Sequence, residues 1–293
     1  MVELNLFLIG GNADTIPLDG SQGITLTSGL RGTGIAPTSV RIQNSAGDGG
    51  TWRSTRRVIR EFDLPMFVSG SGRDEVEARL RRLAQALSDR VGTPYLRAVY
   101  SDGTGPFDIE VHYTGGAETT FGEDASTTFC RWAITLQAPQ PYWTSVDSES
   151  LFLGASPDTR GLLPRLVNLP VKSSQVIGEF TVDNAGDVDA FPVWTFRGPM
   201  DSVTVTAPNG QSFAYVDVIE EDETITIDTF HGTVVDETGA NKYGSLGSSP
   251  KLFSIAPGRS ILNVEAEGTS PGVGGVGATL ITCSYKPRRE VIH

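Results

Sequence analysis

The sequence predicts a mainly β protein built as two β-rich domains, the first of which carries one α-helix. Short apolar runs that alternate with polar residues recur along nearly the whole chain of 293 residues, the pattern of half-buried strands. Most of these runs are bounded by turn-forming residues, and the 34 glycines and 17 prolines supply the backbone geometries that many tight turns require. Apolar residues recur at helical spacing in a single segment. The length suffices for two domains of ordinary size, each with its own core. The boundary predicted here separates residues 1–145 from 146–293, at "APQPYWTS". There Pro139 and Pro141 can neither donate to a sheet ladder nor continue a helix.

Taking the elements in order, Leu4–Ile9 is apolar on both faces and predicts a strand covered on two sides. Ile24–Asp48 mixes short β-like pieces with Gly, Thr and Ser and predicts strands and turns. Thr51–Phe67 places Arg53, Arg56, Arg57 and Arg60 among Trp52, Val58, Ile59 and Phe62, as expected of an extended strand pair. Ser71 and Asp74 have the spacing of a capping box, and Val76, Leu80, Leu83 and Leu87 form one stripe, so a helix is predicted from Ser71 until Gly92 ends it. Glu75 with Arg79 and Glu77 with Arg81 are pairs four residues apart in the favourable direction, and Arg81 and Arg82 point away from the Leu stripe. Leu96–Tyr100 and Phe107–Tyr113 flank "SDGTGP", a hairpin turned by Asp102 and Gly103. Cys130, Trp132, Ile134 and Leu136 then alternate with Arg131, Ala133, Thr135 and Gln137 in a half-buried strand.

Ser145–Ser174, with Pro157, Pro164 and Pro170, predicts a connecting segment with one strand at Leu162–Leu169. The second domain is organised around Glu179–Pro199. Phe180 and Val182 on one side and Val193–Phe196 on the other flank a break of Asn, Gly and Asp, which opens a β-sandwich. Further strands are predicted at Val203 and Val205, at Phe213–Val218, at Ile225 and Ile227, at Leu262, Val264 and Ala266, and at Ile281, Cys283 and Tyr285. Turn signals separate them at the spacing of a sandwich. The Gly-rich stretch "GTSPGVGGVGA" predicts a mobile loop before the last strand.

Charge narrows the function classes. The net charge of -12 is uneven: 13 Arg against 16 acidic residues in 1–145 leave -3, and 10 basic against 19 acidic residues in 146–293 leave -9. Such a balance repels phosphate backbones, so no nucleic-acid partner is expected. The N-terminal stretch lacks a basic region before its short apolar run, as a strand does and a signal peptide does not. No segment reaches the roughly 20 apolar residues that cross a bilayer, so no membrane insertion is expected. Cys130 and Cys283 fall in strands of different halves and predict buried, unreactive thiols in a protein folded in a cytosol.

No catalytic, cofactor or metal residue is assigned. Gly272, Gly274 and Gly277 match a dinucleotide fingerprint formally, but a strand and not a helix follows them. Ser248 and Lys251 match S-x-x-K in a Gly/Ser loop without the partner motifs that would give it meaning. His112, His231 and His293 lie far apart, with no second His or Cys at ligand spacing. Asp183, Asp187 and Asp189 lack the spacing of a calcium loop and suit Asx-rich turns. A glycan hydrolase would need two carboxylates converging in a cleft, and the sequence pairs none. The arginines Arg53, Arg56, Arg57, Arg60, Arg81 and Arg82 form either a solvated basic face or a contact with the carboxylates of a neighbouring subunit.

Laid end to end, the chain resembles the distal tail proteins of long-tailed phages with non-contractile tails. In the first half the resemblance rests on a β-rich region with one helix that closes on "TLQAPQPYW" (Thr135–Trp143). In the second it rests on "DNAGDVDAFPVWTFRGP", on "ITIDTFHGTVV" (Ile225–Val235) and on "SIAPGRSILNV" (Ser254–Val264) ahead of a strand ending in "YKPR". Ser260 stands where the family often has Asn. The resemblance implies a β-rich belt domain with one helix over 1–145 and a galectin-like β-sandwich over 146–293. It further implies a structural, non-enzymatic virion protein without cofactors, assembled in the host cytoplasm. The belt domains would form a hexameric ring at the tail tip, with the sandwiches projecting outward. Its implied partners are copies of itself, the tail tube protein, the hub or tip protein, and receptor-binding or tape-measure proteins, and through them it takes part in host attachment. The alternative is a carbohydrate-binding module on the tip. Sugar-binding galectins use H-x-N-x-R and W-x-x-E runs; here His231 is followed by "GTVV" and Trp194 by "TFR", so sugar binding does not carry over.

Overall fold

The computed structural model describes residues 4–102, 104–119, 122–154, 176–273 and 276–292. The protein divides into two compact units, Met1–Asp147 with Arg289–His293, and Ser148–Arg288. The architecture is mainly β, with a single α-helix among the described residues.

In the first unit the strands are β1 (Leu4–Ile9), β2 (Thr15–Pro17), β3 (Ile24–Leu26), β4 (Thr38–Asn44), β5 (Gly50–Arg57), β6 (Arg60–Ser69), β7 (Tyr95–Tyr100), β8 (Phe107–Glu110), β9 (His112–Gly116), β10 (Phe129–Ala138) and β11 (Trp143–Ser145). The helix α1 (Arg73–Ala86) lies between β6 and β7 in sequence. One sheet runs β2-β1-β7-β8-β11 and another β3-β6-β10-β9, while β4 and β5 pair with each other. A strand with every second side chain apolar presents those side chains to one face. In β6 they are Phe62, Leu64, Met66 and Val68, and they meet Leu8, Leu96, Ile109, Ile134 and Leu136 in one core. Phe62 packs edge-on against Trp143 at 5.6 Å between ring centres. Each such side chain contributes roughly 1.5–3 kcal/mol by leaving water. The expected hairpin forms as β7 and β8, and the strand then changes sheets at Val111 to become β9.

The expected strand pair over Thr51–Phe67 forms as two strands that do not pair with each other. The first joins β4, and the second lies between β3 and β10. The helix differs from expectation at both ends. Gly72, in extended conformation, is its N-cap and contributes no side-chain bond, and Ser71 donates through both its N–H and its Oγ to Glu75 Oε2 at 2.7 Å. The carboxylate that reaches back is therefore Glu75 and not Asp74, because the first helical residue is Arg73. At the other end the helix stops at Ala86 with Leu87 as its cap, ahead of Gly92. Val76, Leu83, Ala86 and Leu87 are buried in the core, and Leu80 is half-buried against it.

In the second unit the strands are β12 (Glu149–Gly154), β13 (Val176–Asn184), β14 (Val193–Arg197), β15 (Ser202–Thr206), β16 (Ser212–Tyr215), β17 (Thr224–Asp228), β18 (Thr233–Asp236), β19 (Gly258–Glu267), β20 (Pro271–Val273), β21 (Val276–Ala278) and β22 (Leu280–Tyr285). Two sheets, β12-β22-β14-β17-β18 and β13-β19-β15-β16, enclose a core around Trp194, Phe196, Phe213, Ile227, Val264 and Ile281. The break in the organising stretch sends β13 into one sheet and β14 into the other. Asn184, buried, holds that crossing: its Nδ2 donates to the carbonyls of Val188 at 3.1 Å and Ile255 at 3.0 Å, and its Oδ1 accepts from the Gly186 N–H at 3.0 Å. A Cβ at Gly186 would lie 2.4 Å from the Arg288 carbonyl oxygen, so only glycine fits there.

The connecting segment predicted from Ser145 contains β12, which pairs along its length with β22. Its pattern is weak in the sequence because only Leu151 and Leu153 face inward and Phe152 is exposed. The strand predicted at Leu162–Leu169 lies outside the described residues. Within the Gly-rich stretch, predicted as a mobile loop, β20 pairs antiparallel with β21, and residues 274–275 between them lie outside the described set. A last two-residue strand, β23 (Arg288–Arg289), adds to the first unit's sheet beside β11. Cys130 and Cys283 are free and buried. Burial pushes the Cys283 thiol up to about 12 and raises that of Cys130, which leaves both unreactive at neutral pH.

Candidate functional site

The feature of the first unit that its own core does not explain is the arm formed by β4 and β5. All fifteen residues of the two strands are exposed. The strands pair antiparallel from Thr38 opposite Arg57 to Asn44 opposite Gly50, with an irregularity between Arg41 and Ile42. Residues opposite each other in a ladder share a face, and a bulge shifts the phase by one. Thr38, Val40 and Ile42 therefore share a face with Arg57, Thr55 and Trp52. The bonds agree: Arg57 donates to Thr38 Oγ1, and Trp52 Nε1 donates to Thr55 Oγ1 at 2.7 Å. Ser39, Arg41 and Gln43 lie on the other face with Arg56, Ser54 and Thr51, where Arg53 Nε donates to Gln43 Oε1 at 2.7 Å. A groove lined by Arg41, Ile42, Gln43, Arg53 and Ser54 runs along the arm.

The arm is thus amphipathic without a core to cover. Its apolar face leaves Val40 51 %, Ile42 58 % and Trp52 62 % exposed, and its basic face carries Arg41, Arg53 and Arg56. Apolar surface projected on a two-stranded element, beside a row of guanidinium groups, is the chemistry of a protein-protein contact. An exposed strand edge adds unpaired main-chain groups that a neighbouring chain can meet.

The six arginines singled out from sequence do not form one face. Arg53 and Arg56 are on the arm. Arg57, at its root, pairs with Glu290 at 2.7 Å. Arg60 is 1 % exposed, and burial holds its pKa below the usual guanidinium value. Arg81 pairs with Glu77 on the helix at 2.6 Å. Arg82 grips Asp14 with Nε and Nη2 at 2.6 and 2.7 Å; this bond holds the Asp14 carboxyl below its ordinary range. Arg41, the arm's remaining basic residue, was not in the group, because only the β4–β5 register brings it beside Ser54. Arg60 carried a readable signal, since it keeps the inward phase of Phe62, Leu64, Met66 and Val68.

The histidines stay apart. His112 is held between Glu110 Oε1 at 2.9 Å and Asp89 Oδ1 at 3.0 Å, and the bond to Glu110 together with that to Asp89 raises its pKa. His231 Nδ1 lies 2.7 Å from Asp228 Oδ2 in the β17–β18 turn. His293 is outside the described residues. No group of three or more His, Cys, Asp or Glu suited to a metal occurs among the described residues. Asp183 and Asp189 serve the fold: the Asp183 carbonyl accepts from Tyr285 Oη at 3.0 Å, and Asp189 Oδ2 from Ser254 Oγ at 2.7 Å. Trp194 is wholly buried between Phe180 and Phe213 and offers no face to a sugar.

Comparison with solved structures matches this fold over nearly its full length. The Dit protein of phage SPP1, described as a paradigm of the hub adsorption apparatus in phages that infect Gram-positive hosts, aligns over 97% of this chain and 99% of its own, with a TM-score of 0.65 and 13% identity. A chain of the phage P2 baseplate in its activated conformation with Ca aligns over 93% of this chain and all of its own, with a TM-score of 0.51 and 10% identity. The same baseplate with Sr aligns over the same shares with 11% identity. At these identities the likeness is one of fold. No protein-family model matches the chain, and no curated protein sequence does.

Proposed function

We propose that this protein is a structural component of a phage tail tip, a distal tail protein that joins the end of the tail tube to the hub and to receptor-binding components. The observation that carries this reading is the alignment, end to end and through both units, with the SPP1 Dit hub protein. The phage P2 baseplate chains support it. Under it the first unit is the belt that builds a hexameric ring, the second is the galectin-like sandwich directed at other tip proteins, and the protein resides in the virion after assembly in the host cytoplasm. No reaction is assigned to it.

The arm is the part of the first unit suited to the ring contact. A ring is made by a heterologous contact repeated about an axis, in which one surface of each copy meets a different surface of the next. An amphipathic arm whose apolar side chains find no cover on its own unit supplies the first surface. Its guanidinium groups suit the carboxylates of a chain with a net charge of -12.

Sedimentation velocity of the purified chain tests the contact. A closed oligomer is expected from the parent, and monomer of unchanged melting temperature from the double variant Ile42→Asp, Trp52→Asp. Assembly of that variant like the parent would remove the arm from the contact. Antibody labelling of intact virions tests the location: signal at the tail end supports the reading, and signal on the capsid refutes it.

A further inference from the structure

Residues 289–292 follow the second unit in sequence, yet they belong to the first, where they grip the root of the arm from both sides. Ahead of β4, the Ile292 N–H donates to the Thr33 carbonyl at 3.1 Å. Behind β5, the Glu290 carboxylate meets the Arg57 guanidinium at 2.7 Å, and the Glu290 main-chain carbonyl accepts from Arg60 Nη2 at 2.6 Å. The same buried Arg60 donates through Nη1 to the Gly32 carbonyl at 2.9 Å. One guanidinium therefore ties the segment that enters the arm to the stretch that crosses behind it. The Ile292 side chain anchors that stretch in the first core.

These bonds matter because the arm itself buries nothing that could aim it. No side chain of β4 or β5 is buried, and a two-stranded ribbon alone is marginally stable in water. At the root the strands are closed by Val58 N–H to the Pro37 carbonyl at 3.0 Å and by Arg57 to Thr38. Those contacts hold the strands to each other and leave their joint direction to the segments on either side. A buried cation is held by the acceptors it reaches, and residue 290 supplies one of the two carbonyls that Arg60 uses.

We infer that residues 289–292 are a clasp that sets the direction of the β4–β5 arm, a surface encoded roughly 230–250 positions earlier. That the clasp thereby governs self-association rests on the reading of the arm as the ring contact. The clasp itself does not.

Hydrogen exchange followed residue by residue, with sedimentation velocity on the same samples, separates the two. Two variants are compared with the full chain, one lacking residues 289–293 and one carrying the milder Glu290→Ala. Removal of the clasp is expected to speed exchange at Val58 and across 38–57 by about tenfold or more, and amides of β6 and β10 are expected to lose clearly less protection than those of the arm. Glu290→Ala, which keeps the carbonyl to Arg60, is expected to give a smaller increase confined to the same residues. Unchanged exchange in the arm for both variants overturns the clasp. Equal loosening of arm and core in both variants also overturns it, since the tail would then only stabilise the unit. A loosened arm in a chain that still assembles supports the clasp and overturns the arm as the ring contact.

Discussion

β5 and β6 are separated by two residues, yet every residue of β5 is exposed while β6 buries Arg60, Phe62, Leu64, Met66 and Val68 in strict alternation. Both are long strands that carry aromatic residues and arginine. They differ in their neighbours. β6 has β3 on one side and β10 on the other, and its inner face looks onto the core, whereas β5 has β4 alone. Strand formation needs a partner ladder, but burial needs a second layer, and the arm has no second layer within its own unit. The arginines mark the same divide: Arg56 is solvated, and Arg60 is enclosed and bonded to carbonyls.

The contrast can be broken most strongly in the core. Phe62→Ala removes a fully buried ring that packs on Trp143 and is expected to lower stability by about 3–5 kcal/mol in urea unfolding. Arg60→Ala leaves the Gly32 and Glu290 carbonyls without their donor and is expected to cost about 2–4 kcal/mol by the same measurement. Gly32→Ala tests the turn beneath: Gly32 has φ +104°, and a Cβ there would lie 2.4 Å from the Glu61 carbonyl oxygen, so a loss of about 1–3 kcal/mol in thermal melting is expected.

A smaller effect follows pH. The folded pKa of His112 is raised above its ordinary value of 6.5 by Glu110 and Asp89, so its contribution is fully present below that value and is lost as pH rises through the folded pKa. His112→Gln should flatten the stability profile across this window. The site is more than a third exposed, so the change is about a few tenths of a kcal/mol. Smallest of all is the expected effect of Trp52→Ala on folding, within about 0.5 kcal/mol, because that indole touches no core. A loss comparable to that of Phe62→Ala would show that the arm is packed in solution, and the contrast would fail.

Much of the fold was legible in the order of residues. The strand at Leu4 follows from its continuous apolar run, and the β7–β8 hairpin, the alternation of β10 and the strands around Trp194, Val203, Ile225, Leu262 and Ile281 follow from period-two patterning, which the pleat imposes locally. β12 was not legible, because an edge strand needs to bury only two side chains, and Leu151 and Leu153 make too short a pattern. The helix was legible in its stripe and not in its ends. Gly72 rather than Ser71 became the cap, since Glu75 could bond Ser71 from within the first turn. The six arginines were visible as a group, but their environments were not, because burial, pairing and exposure depend on layers that meet only in three dimensions.

By itself the sequence determined that the chain is mainly β, that the Val76–Leu87 stripe makes an amphipathic helix, and that its two thiols lie in strands. These are properties of short windows, in which backbone preference and side-chain period act between near neighbours. Only the tertiary structure decided that β5 would stand free while β6 was enclosed, that a bulge would gather Val40, Ile42 and Trp52 on one face, and that Glu290 would close on Arg57 and Arg60. Those outcomes depend on contacts between residues far apart in the chain. Local patterning does not encode them, because packing selects among many arrangements that the same strands permit.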